Sequence, residues 1–445
     1  MAALDALLER RFALAAHGTS VRTELLAGTT TFLTMAYIVF VQPAVLSAAG
    51  MDFGAVLVAT CLSTAFATTL MALTANYPIA VAPAMGHNFF FAYSVVLGMG
   101  VPWEVALGAV AIAGTIFVLT AGIGLRERLI TAIPPVLKHA IAAGIGLLIA
   151  TIGLQWAGLV VDAPGTLVTL GDLHSPPVLL AIFSLVLTAV LMVRGTRGAF
   201  LWGMLVSTLV AWAVGLVEYQ GLASLPPSLG PTFLHLDVAR ALTPGLVPVI
   251  FVFFFLALFD SVGTLVGIGT QAGFIRGGVL PRARQALLAD AVGTVAGASL
   301  GTSTVTAYIE SGAGVAAGGR TGLTGLVTAA LFLLTLFFSP LVRMIGGGYV
   351  QGSSTLYPIV AAPLVLVGTM MIGGLREVAW DDPTEAIPAF LTLITMPLTV
   401  SITEGVSFGL IAFAVLKTAT GRTREVHPLI YVFAILFVAR YALLR

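Results

Sequence analysis

Charged residues are scarce in this sequence, and cysteine is almost absent. Only 9% of the 445 residues are aspartate, glutamate, lysine or arginine, against about 25% in an ordinary soluble domain. Hydrophobic residues make up 59% of the chain, and the mean hydropathy is +1.07. So few charges cannot cover the surface of a soluble enzyme of this length, and the sequence therefore predicts a protein that faces mainly lipid.

The other scarcities exclude further classes of protein. Cys61 is the single cysteine, which excludes an intrachain disulfide framework and a cysteine-built zinc cluster. The formal net charge is +1, and the scattered charges form neither a nucleic-acid-binding face nor an acidic tail. The six histidines are dispersed along the chain without an acidic cluster. We therefore predict no metal site, no other cofactor and no catalytic centre of a membrane enzyme.

Apolar stretches of bilayer length are what the sequence has in abundance, since about 17 to 25 apolar residues suffice for a helix to cross. Such stretches lie at 25–48, 55–75, 103–124, 138–160, 176–193, 198–217, 246–270, 283–301, 321–338, 354–374 and 402–418. Three more are short or interrupted by proline and polar residues: 78–98, 302–319 and 387–400. The sequence thus predicts an all-α protein with fourteen transmembrane segments. A last stretch, 427–443, crosses as an extra helix or lies in the interface.

Lysine and arginine are distributed unequally over the connecting loops. If the N-terminus is cytoplasmic, only Arg240 and Arg343 among the loop residues fall outside. The residues on the inner side are Arg10, Arg11, Arg22, Arg126, Arg128, Lys138, Arg194, Arg197, Arg276, Arg282, Arg284, Arg320, Arg376, Lys417, Arg422 and Arg424. Because cytoplasmic loops carry an excess of basic residues, the sequence predicts a cytoplasmic N-terminus in the cell membrane.

The two halves of the chain resemble each other weakly. A shift of 223 residues places Gly50 on Gly273 and His87 on Glu310, and the two polar interrupted segments are each the third of their half. With seven segments per half, the second copy is inverted in the membrane. Inverted repeats with paired broken helices are typical of secondary transporters, whose substrate site lies near the bilayer midplane.

Ionisable side chains inside apolar segments cost about 2.5 to 3.5 kcal/mol each on insertion and mark functional sites by default. Asp260 follows a long apolar run without a basic neighbour in sequence. Glu310 follows alternating serine and threonine residues, which predict a short extended piece before a half-helix with free amide donors. Capping of a broken helix is the alternative role for both. For Asp290 and Glu404, near segment ends, we predict structural roles.

The paired segment of the first half places hydrogen-bonding side chains beside aromatic rings. Asn88 precedes three consecutive phenylalanines that begin at Phe89. An amide next to aromatic rings suits a flat heteroaromatic ligand, which stacks by its face and hydrogen-bonds by its edge. The neighbouring His87 is either a packing residue or a ligand-binding one, and both alternatives stay open.

Four motifs resemble the AzgA-like purine permeases, the adenine, guanine and hypoxanthine branch of the nucleobase-cation symporters related to uracil permease. They are TTTFLTMAYIVF (29–40), LFDSVGTL (258–265), GTSTVTAYIES (301–311) and AAGGRTGL (316–323), and the resemblance covers nearly the whole chain. It implies a seven-plus-seven inverted repeat with two short extended pieces and half-helices at the site, a core domain that carries the site and a gate domain that forms the oligomeric contact. The expected ranges are 23–125 and 245–338 for the core, 126–217 and 339–418 for the gate, and 419–445 for a C-terminal helix.

The resemblance also implies roles for individual residues. Asp260, Glu310 and Asn88 match the family's substrate-binding residues of the eighth, tenth and third segments. The remaining expected substrate contacts are Thr264, Phe259, Phe89 and Ser311, and proton coupling is expected at Asp260 and Glu310. The chain departs from the family pattern at Ala257, where many members have a second aspartate, and at His87 and Phe89. We expect these departures to change purine selectivity and proton coupling rather than transport itself.

The sequence therefore predicts a secondary-active importer of hypoxanthine, guanine or adenine rather than an enzyme. We expect proton symport by an elevator-like motion, with sodium as the alternative ion, and a homodimer through the gate domain. An anion transporter on the same inverted-repeat scaffold is the alternative function. Asp260 and Glu310 argue against it, because two carboxylates disfavour an anionic substrate.

Overall fold

The computed structural model describes residues 2–123, 134–163, 165–275, 280–351 and 354–443. In this part of the chain, nine helical stretches are long and apolar enough to cross a membrane: Val21–Ala48, Phe53–Thr74, Trp103–Ala121, Pro135–Trp156, Pro176–Val193, Pro244–Gln271, Gly322–Gly346, Pro358–Glu377 and Ile402–Ala419. The chain is therefore a multi-pass membrane protein, while the count of fourteen segments stays a prediction. Arg126, Arg128, Arg276 and the predicted boundary between residues 125 and 126 lie outside the described residues.

The elements are numbered here in chain order. The first half contains α1 (Ala2–Phe12), α2 (Val21–Met35), α3 (Ile38–Ala48), α4 (Phe53–Thr74), β1 (Val81–Pro83), α5 (Met85–Phe89) with a π-helical continuation (Phe90–Gly98), α6 (Trp103–Ile123), α7 (Pro135–Trp156), β2 (Val160–Ala163), β3 (Leu167–Leu170), α8 (Pro176–Val193) and α9 (Ala199–Ala213). The second half contains α10 (Val238–Ala241), α11 (Val247–Gln271), α12 (Ala283–Leu300), β4 (Val305–Ala307), α13 (Ser311–Ala316), α14 (Gly322–Thr335), α15 (Ser339–Gly346), β5 (Tyr349–Gln351), β6 (Ser354–Leu356), α16 (Pro358–Met371), α17 (Pro383–Thr399), α18 (Ile402–Ala419) and α19 (Pro428–Leu443).

Local sequence signals set where many of these helices begin. The side chains of Ser20, Asp52 and Ser401 accept backbone amide protons at the starts of α2, α4 and α18, which replaces a hydrogen bond that the first turn lacks. Helices α7, α8, α16 and α17 begin with proline, whose missing N–H is not needed there.

Three short antiparallel strand pairs interrupt the helical architecture. The pair β1–β4 consists of the two extended pieces that the sequence predicts in the interrupted segments. The described residues are mostly helical, as predicted, and the hairpins β2–β3 and β5–β6 add two short strand pairs that the sequence analysis did not predict. Their stretches are too short to cross a bilayer and too rich in β-branched residues to favour helix, so after α7 and after α15 the chain folds back on itself as two strands.

The helices pack as two groups, and each group takes members from both halves of the chain. In the first, α14 packs against α2 and α4, and α12 packs against α4 and α6. In the second, α16 packs against α7 and α8, and α17 packs against α7 and α18. We call the first group the core and the second the gate, after the two predicted domains; their roles in transport stay a prediction.

Charged side chains join the last helices at one end of the gate. Lys417 is fully buried and its Nζ pairs with Glu385 at 2.6 Å and Glu425 at 2.8 Å. Arg422 pairs with Asp382 at 2.5 Å and with Glu425 at 2.8 Å. A buried ammonium needs such partners, because desolvation of an unpaired charge costs several kcal/mol. The start of α17, the end of α18 and the link to α19 are therefore held together.

The C-terminal helix α19 lies lengthwise along α18 in the antiparallel direction. Tyr431 and Thr418 share a hydrogen bond of 2.8 Å near one end, and Arg440 pairs with Glu404 at 2.9 Å near the other. The outward side chains of α19 are apolar as well: Val432, Ile435, Leu436 and Val438. A helix that lies in the interface needs a polar face. Of the two alternatives for residues 427–443, this packing favours an extra crossing helix.

We therefore expect the C-terminus to lie on the opposite side of the membrane from the link between α18 and α19. In a Cys61→Ser background, a cysteine appended to the C-terminus and a Thr420→Cys substitution should react with a membrane-impermeant maleimide from opposite sides. Thr420 is the control, since it is exposed in that link. Labelling of both cysteines from the same side of sealed cells would place α19 in the interface.

Candidate functional site

The two interrupted segments meet in the centre of the core. Strands β1 and β4 are fully buried and pair with Val81 opposite Ala307 and Pro83 opposite Val305. A segment that leaves the helical conformation inside an apolar environment must find new partners for its backbone groups. Each strand supplies the partners that the other needs.

A threonine from a preceding helix holds each of these strands. Thr68 of α4 accepts a hydrogen bond from the Val81 amide at 2.9 Å and donates to the Val81 carbonyl at 3.0 Å. Thr294 of α12 makes the same two bonds with Val305, at 3.3 and 2.8 Å. A helix threonine therefore binds both backbone groups of the first strand residue once in each half of the chain.

Side chains at the ends of the strands repeat the duplication. Ser303 donates to the Asn88 amide oxygen, and the Ala80 amide donates to the Ser311 hydroxyl at 3.0 Å. Asn88 and Ser311 are 223 residues apart, and so are Ala80 and Ser303. The two bonds thus join the same two positions, with the first and second halves of the chain exchanged. A twofold relation between the halves, at the 223-residue offset found in the sequence, produces such a pair of bonds.

Asp260 lies on the accessible face of α11. The Thr306 hydroxyl of β4 donates to its carboxylate at 3.1 Å. Asp260 is exposed although most side chains in the preceding two turns are buried, and the exposed positions continue along one face at helical spacing: Gly263, Val266, Gly267 and Thr270. No atom lies within 4 Å of the position that a Cβ of Gly263 would occupy. The carboxylate therefore borders open space beside a strip of small residues.

Glu310 lies in the connection between β4 and α13, half-buried. Its carboxylate accepts a hydrogen bond of 2.6 Å from the hydroxyl of Tyr37, which stands at the break between α2 and α3. Glu310 follows the strand residue that binds Asp260 by only four positions. Both carboxylates are therefore attached to the same short segment, one through Thr306 and the other through the chain itself.

Asp290 and Glu404, for which the sequence predicts structural roles, both contact groups of the protein itself. Asp290 is fully buried and accepts a hydrogen bond from the backbone amide of Ala307 at 3.3 Å. Glu404 pairs with Arg440 of α19. A carboxylate that binds a backbone amide of β4 supports the strand, whereas Asp260 binds only a hydroxyl and stays accessible.

Asn88 and His87 are buried beside this segment. The Asn88 amide nitrogen and both ring nitrogens of His87 have no hydrogen-bond partner among the described residues. A buried donor without a partner costs about 1 to 3 kcal/mol, so these groups are available to a ligand. Asn88 reaches the segment through Ser303, which places three of the predicted site residues around residues 303–310.

The four remaining predicted contacts have other neighbours. Thr264 is buried one turn after Asp260, and Ser311 uses its hydroxyl for the Ala80 amide. Phe89 is fully buried and stacks on Tyr93, with ring centroids 5.7 Å apart. The Lys138 ammonium of α7 lies 5.1 Å from the ring centroid of Phe259. Their contact with a substrate stays a prediction.

Three residues of this arrangement were missed in the sequence. Tyr37 and Thr306 are the direct partners of the two carboxylates, and both lie inside the quoted motifs. Gly263 opens the space beside Asp260. The spacing of Gly263 and Gly267, three and seven residues after the aspartate, is the signal for a small-residue strip on one helix face.

Comparisons with known proteins give a consistent result. A family model described as a permease family, Xan_ur_permease, matches residues 22–408. The adenine permease AdeP of Escherichia coli (strain K12) is 46% identical, over 98% of this chain and 96% of AdeP. The guanine/hypoxanthine permease PbuO of Bacillus subtilis (strain 168) is 44% identical, over 94% of this chain and 96% of PbuO.

The fold also resembles a solved structure. The transmembrane domain of a cyanobacterium bicarbonate transporter, BicA, superimposes with a TM-score of 0.63 at 17% sequence identity, covering 87% of this chain and 97% of that domain. At this identity the likeness concerns the fold alone.

Ser311→Ala should lower stability, because it leaves the buried Ala80 amide without its acceptor. We expect a loss of about 1 to 3 kcal/mol, measured as a lower unfolding temperature of the purified protein. Ser299→Ala is the matched control, since that hydroxyl bonds only to a carbonyl of its own helix. A Ser311→Ala protein with unchanged stability and weaker substrate binding would show instead that Ser311 contacts the substrate.

Proposed function

This chain belongs to the permease family, and on that premise we propose that it is a secondary-active transporter that imports purine nucleobases across the cytoplasmic membrane. Two relatives at 44% and 46% identity are named as permeases for guanine/hypoxanthine and for adenine. The observation that carries the proposal is the attachment of Asp260, Glu310 and Asn88 to residues 303–310 in the centre of the core.

The side chains around this segment suit the edge of a purine. Hypoxanthine and guanine present a ring N–H next to a carbonyl, which a carboxylate and a neighbouring donor complement. Adenine presents an amino donor beside a bare ring acceptor, and the free amide nitrogen of Asn88 supplies the donor that this acceptor needs. Both edges can be met here, and we expect 6-oxopurines to be preferred.

We further propose that proton binding drives uptake, with sodium as the alternative ion. A neutral nucleobase carries no charge of its own, so the coupling ion must be bound by the protein. A carboxylate with unused acceptor positions can bind a proton, and Asp260 is accessible and accepts one hydrogen bond, from the Thr306 hydroxyl, among the described residues. Abolition of radiolabelled purine uptake by a protonophore, but not by removal of sodium, is the expected result.

The arrangement of two helix groups supports an elevator-like motion. We propose fourteen transmembrane segments in the inverted repeat, followed by α19 as an extra crossing helix, with a core (23–125 and 245–338) that carries the whole site and a gate (126–217 and 339–418) that forms a homodimer. The contacts across the boundary include the Phe259–Lys138 contact, a hydrogen bond of 3.0 Å from Ser94 to the Val400 carbonyl, the Arg343–Phe53 contact, and ring contacts of Tyr37 with Phe200 and of Trp156 with Phe89. Such contacts can be exchanged without unfolding either group.

An anion transporter on the same scaffold is the second candidate, and the fold likeness to a bicarbonate transporter is what suggests it. Asp260 and Glu310 count against this function, because two carboxylates at the accessible face would repel an anion. The named permease relatives also favour a nucleobase.

Asp260→Asn and Glu310→Gln should each abolish purine uptake while membrane insertion is retained. Both changes keep the size of the side chain and remove the carboxylate that accepts the ligand or the proton. Asp52→Asn is the matched control, because Asp52 caps α4 and asparagine caps a helix equally well. Uptake at the wild-type rate by either variant would show that the carboxylate in question has a structural role and does not bind substrate or proton.

Competition for uptake should distinguish the substrates. We expect hypoxanthine and guanine to compete best, adenine and xanthine less well, and uracil least, measured as inhibition of radiolabelled hypoxanthine uptake. A base that lacks a matching donor leaves buried polar groups unpaired, at about 1 to 3 kcal/mol each. If uracil competes best, the substrate is not a purine. If only adenine competes, the site recognises the amino edge of adenine and not the N–H and carbonyl edge of a 6-oxopurine.

The elevator-like motion predicts that crosslinks across the boundary respond to substrate. In a Cys61→Ser background, the pair Lys138→Cys with Phe259→Cys should crosslink at a rate that purine changes several-fold. The pair Phe32→Cys with Phe332→Cys lies within the core, where the two rings are in contact with centroids 5.3 Å apart, and should crosslink at a rate that purine leaves unchanged. An identical response of the two pairs would favour local gating within a rigid protein.

A further inference from the structure

A cavity of about 230 Å³ lies in the core away from Asp260, beyond the end of α11. Gln271, the last residue of that helix, is eleven residues from Asp260, a helical distance of about 16 Å. The residues that line the cavity include His17, Tyr77, Phe274, Arg282 and Arg320. A single water molecule takes up about 30 Å³, so the space accommodates a polyatomic ligand.

Arg282 contributes an uncompensated positive charge to this cavity. Its guanidinium lies 5.6 Å from the ring centroid of Tyr77. Among the described residues it forms neither a hydrogen bond nor an ion pair, and its side chain is exposed. All five N–H donors of this guanidinium therefore stay available.

Arg320 also lines this cavity, and its position is fixed by hydrogen bonds. One guanidinium nitrogen donates to the carbonyls of Val315 and Gly319 at 2.6 and 2.7 Å. The carboxylate of Glu24 accepts hydrogen bonds from the backbone amides of Arg320 and Thr324, at 2.9 and 3.1 Å, and forms no ion pair with the guanidinium within the described ranges. Two backbone carbonyls thus hold one guanidinium nitrogen of Arg320, and its other guanidinium N–H groups form no hydrogen bond among the described residues.

Tyr77 supplies the observation that points to a ligand. Its side chain is only 2% exposed and its ring stacks on Phe274, with centroids 5.3 Å apart and planes 11° apart. The hydroxyl has no hydrogen-bond partner in the described part of the chain. A buried hydroxyl without a partner is unfavourable by about 1 to 3 kcal/mol. A ligand in the cavity that accepts a hydrogen bond from this hydroxyl would remove that cost.

We propose that this cavity binds a phosphate-type oxyanion between Arg282 and Arg320, with the Tyr77 hydroxyl as a further donor. Guanidinium groups match the oxygens of a phosphate in geometry as well as charge. His17 adds a ring at the rim, held by a bond of 2.8 Å from its Nδ1 to the Ala13 carbonyl. The phosphate group belongs either to a free phosphate compound or to the headgroup of an acidic lipid.

The position of the cavity gives the bound oxyanion a regulatory role. Tyr77 precedes β1, Phe274 follows α11, Arg282 precedes α12 and Arg320 follows α13. A ligand that joins these four residues ties together the elements that carry Asp260 and Glu310. This effect on transport rests on the proposed function, whereas binding of the oxyanion does not depend on it.

Binding can be measured on the purified full-length chain in phosphatidylcholine nanodiscs, as the shift in unfolding temperature on titration with inorganic phosphate. We expect a saturable stabilisation whose apparent affinity falls at least about tenfold in Arg282→Gln, because a charged hydrogen bond is lost. Tyr77→Phe should weaken binding by a few-fold while the unliganded protein keeps its stability. Arg343→Gln is the matched control, since that guanidinium also covers a ring, Phe53, at 5.7 Å and lies outside this cavity.

A second arm distinguishes the source of the phosphate group. Nanodiscs that contain phosphatidylglycerol, without free phosphate, should stabilise the wild type and not Arg282→Gln if the ligand is a lipid headgroup. Stabilisation by free phosphate in phosphatidylcholine alone identifies a soluble ligand. Either result supports the site. Absence of stabilisation in both arms, or an equal response of Arg282→Gln and Arg343→Gln, overturns the proposal even if purine uptake is confirmed.

Discussion

The backbone of two interrupted membrane segments is the constraint on which this structure depends. A chain that unwinds among apolar helices leaves N–H and C=O groups that water does not reach. Here β1 and β4 satisfy each other, and Thr68 and Thr294 complete the strand ends. Because the strands come from different halves of the chain, neither half can satisfy its own break. The core forms only when both halves are present.

The candidate site follows from the same arrangement. Residues 303–310 already need partners for structural reasons, so side chains from several helices converge on them. What separates a structural carboxylate from a functional one is what it binds. Asp290 is fully buried against a backbone amide of β4, whereas Asp260 binds the Thr306 hydroxyl and faces open space. The accessible carboxylate keeps acceptor capacity that a ligand or a proton can use.

The ends of the two helix groups serve different purposes. The gate is braced by the ion pairs around Lys417 and by α19, which packs along the whole length of α18. One end of the core instead carries two arginines, Arg282 and Arg320, that line a cavity and form no ion pair among the described residues. Under the proposed elevator-like motion, the paired charges suit the group that stays in place, and the unpaired charges suit a surface that binds a ligand.

The sequence by itself determined the membrane setting, the places where segments break, the carboxylates at membrane depth and the 223-residue offset between halves. These follow from composition and local pattern, which do not depend on the neighbours of a segment. Only the tertiary structure decided that Ser311 accepts a hydrogen bond from the Ala80 amide, that Tyr37 donates one to Glu310 and that α19 lies along α18. Those pairings join residues that are far apart in sequence, because which hydroxyl meets which buried polar group is fixed by the packing of the two halves against each other.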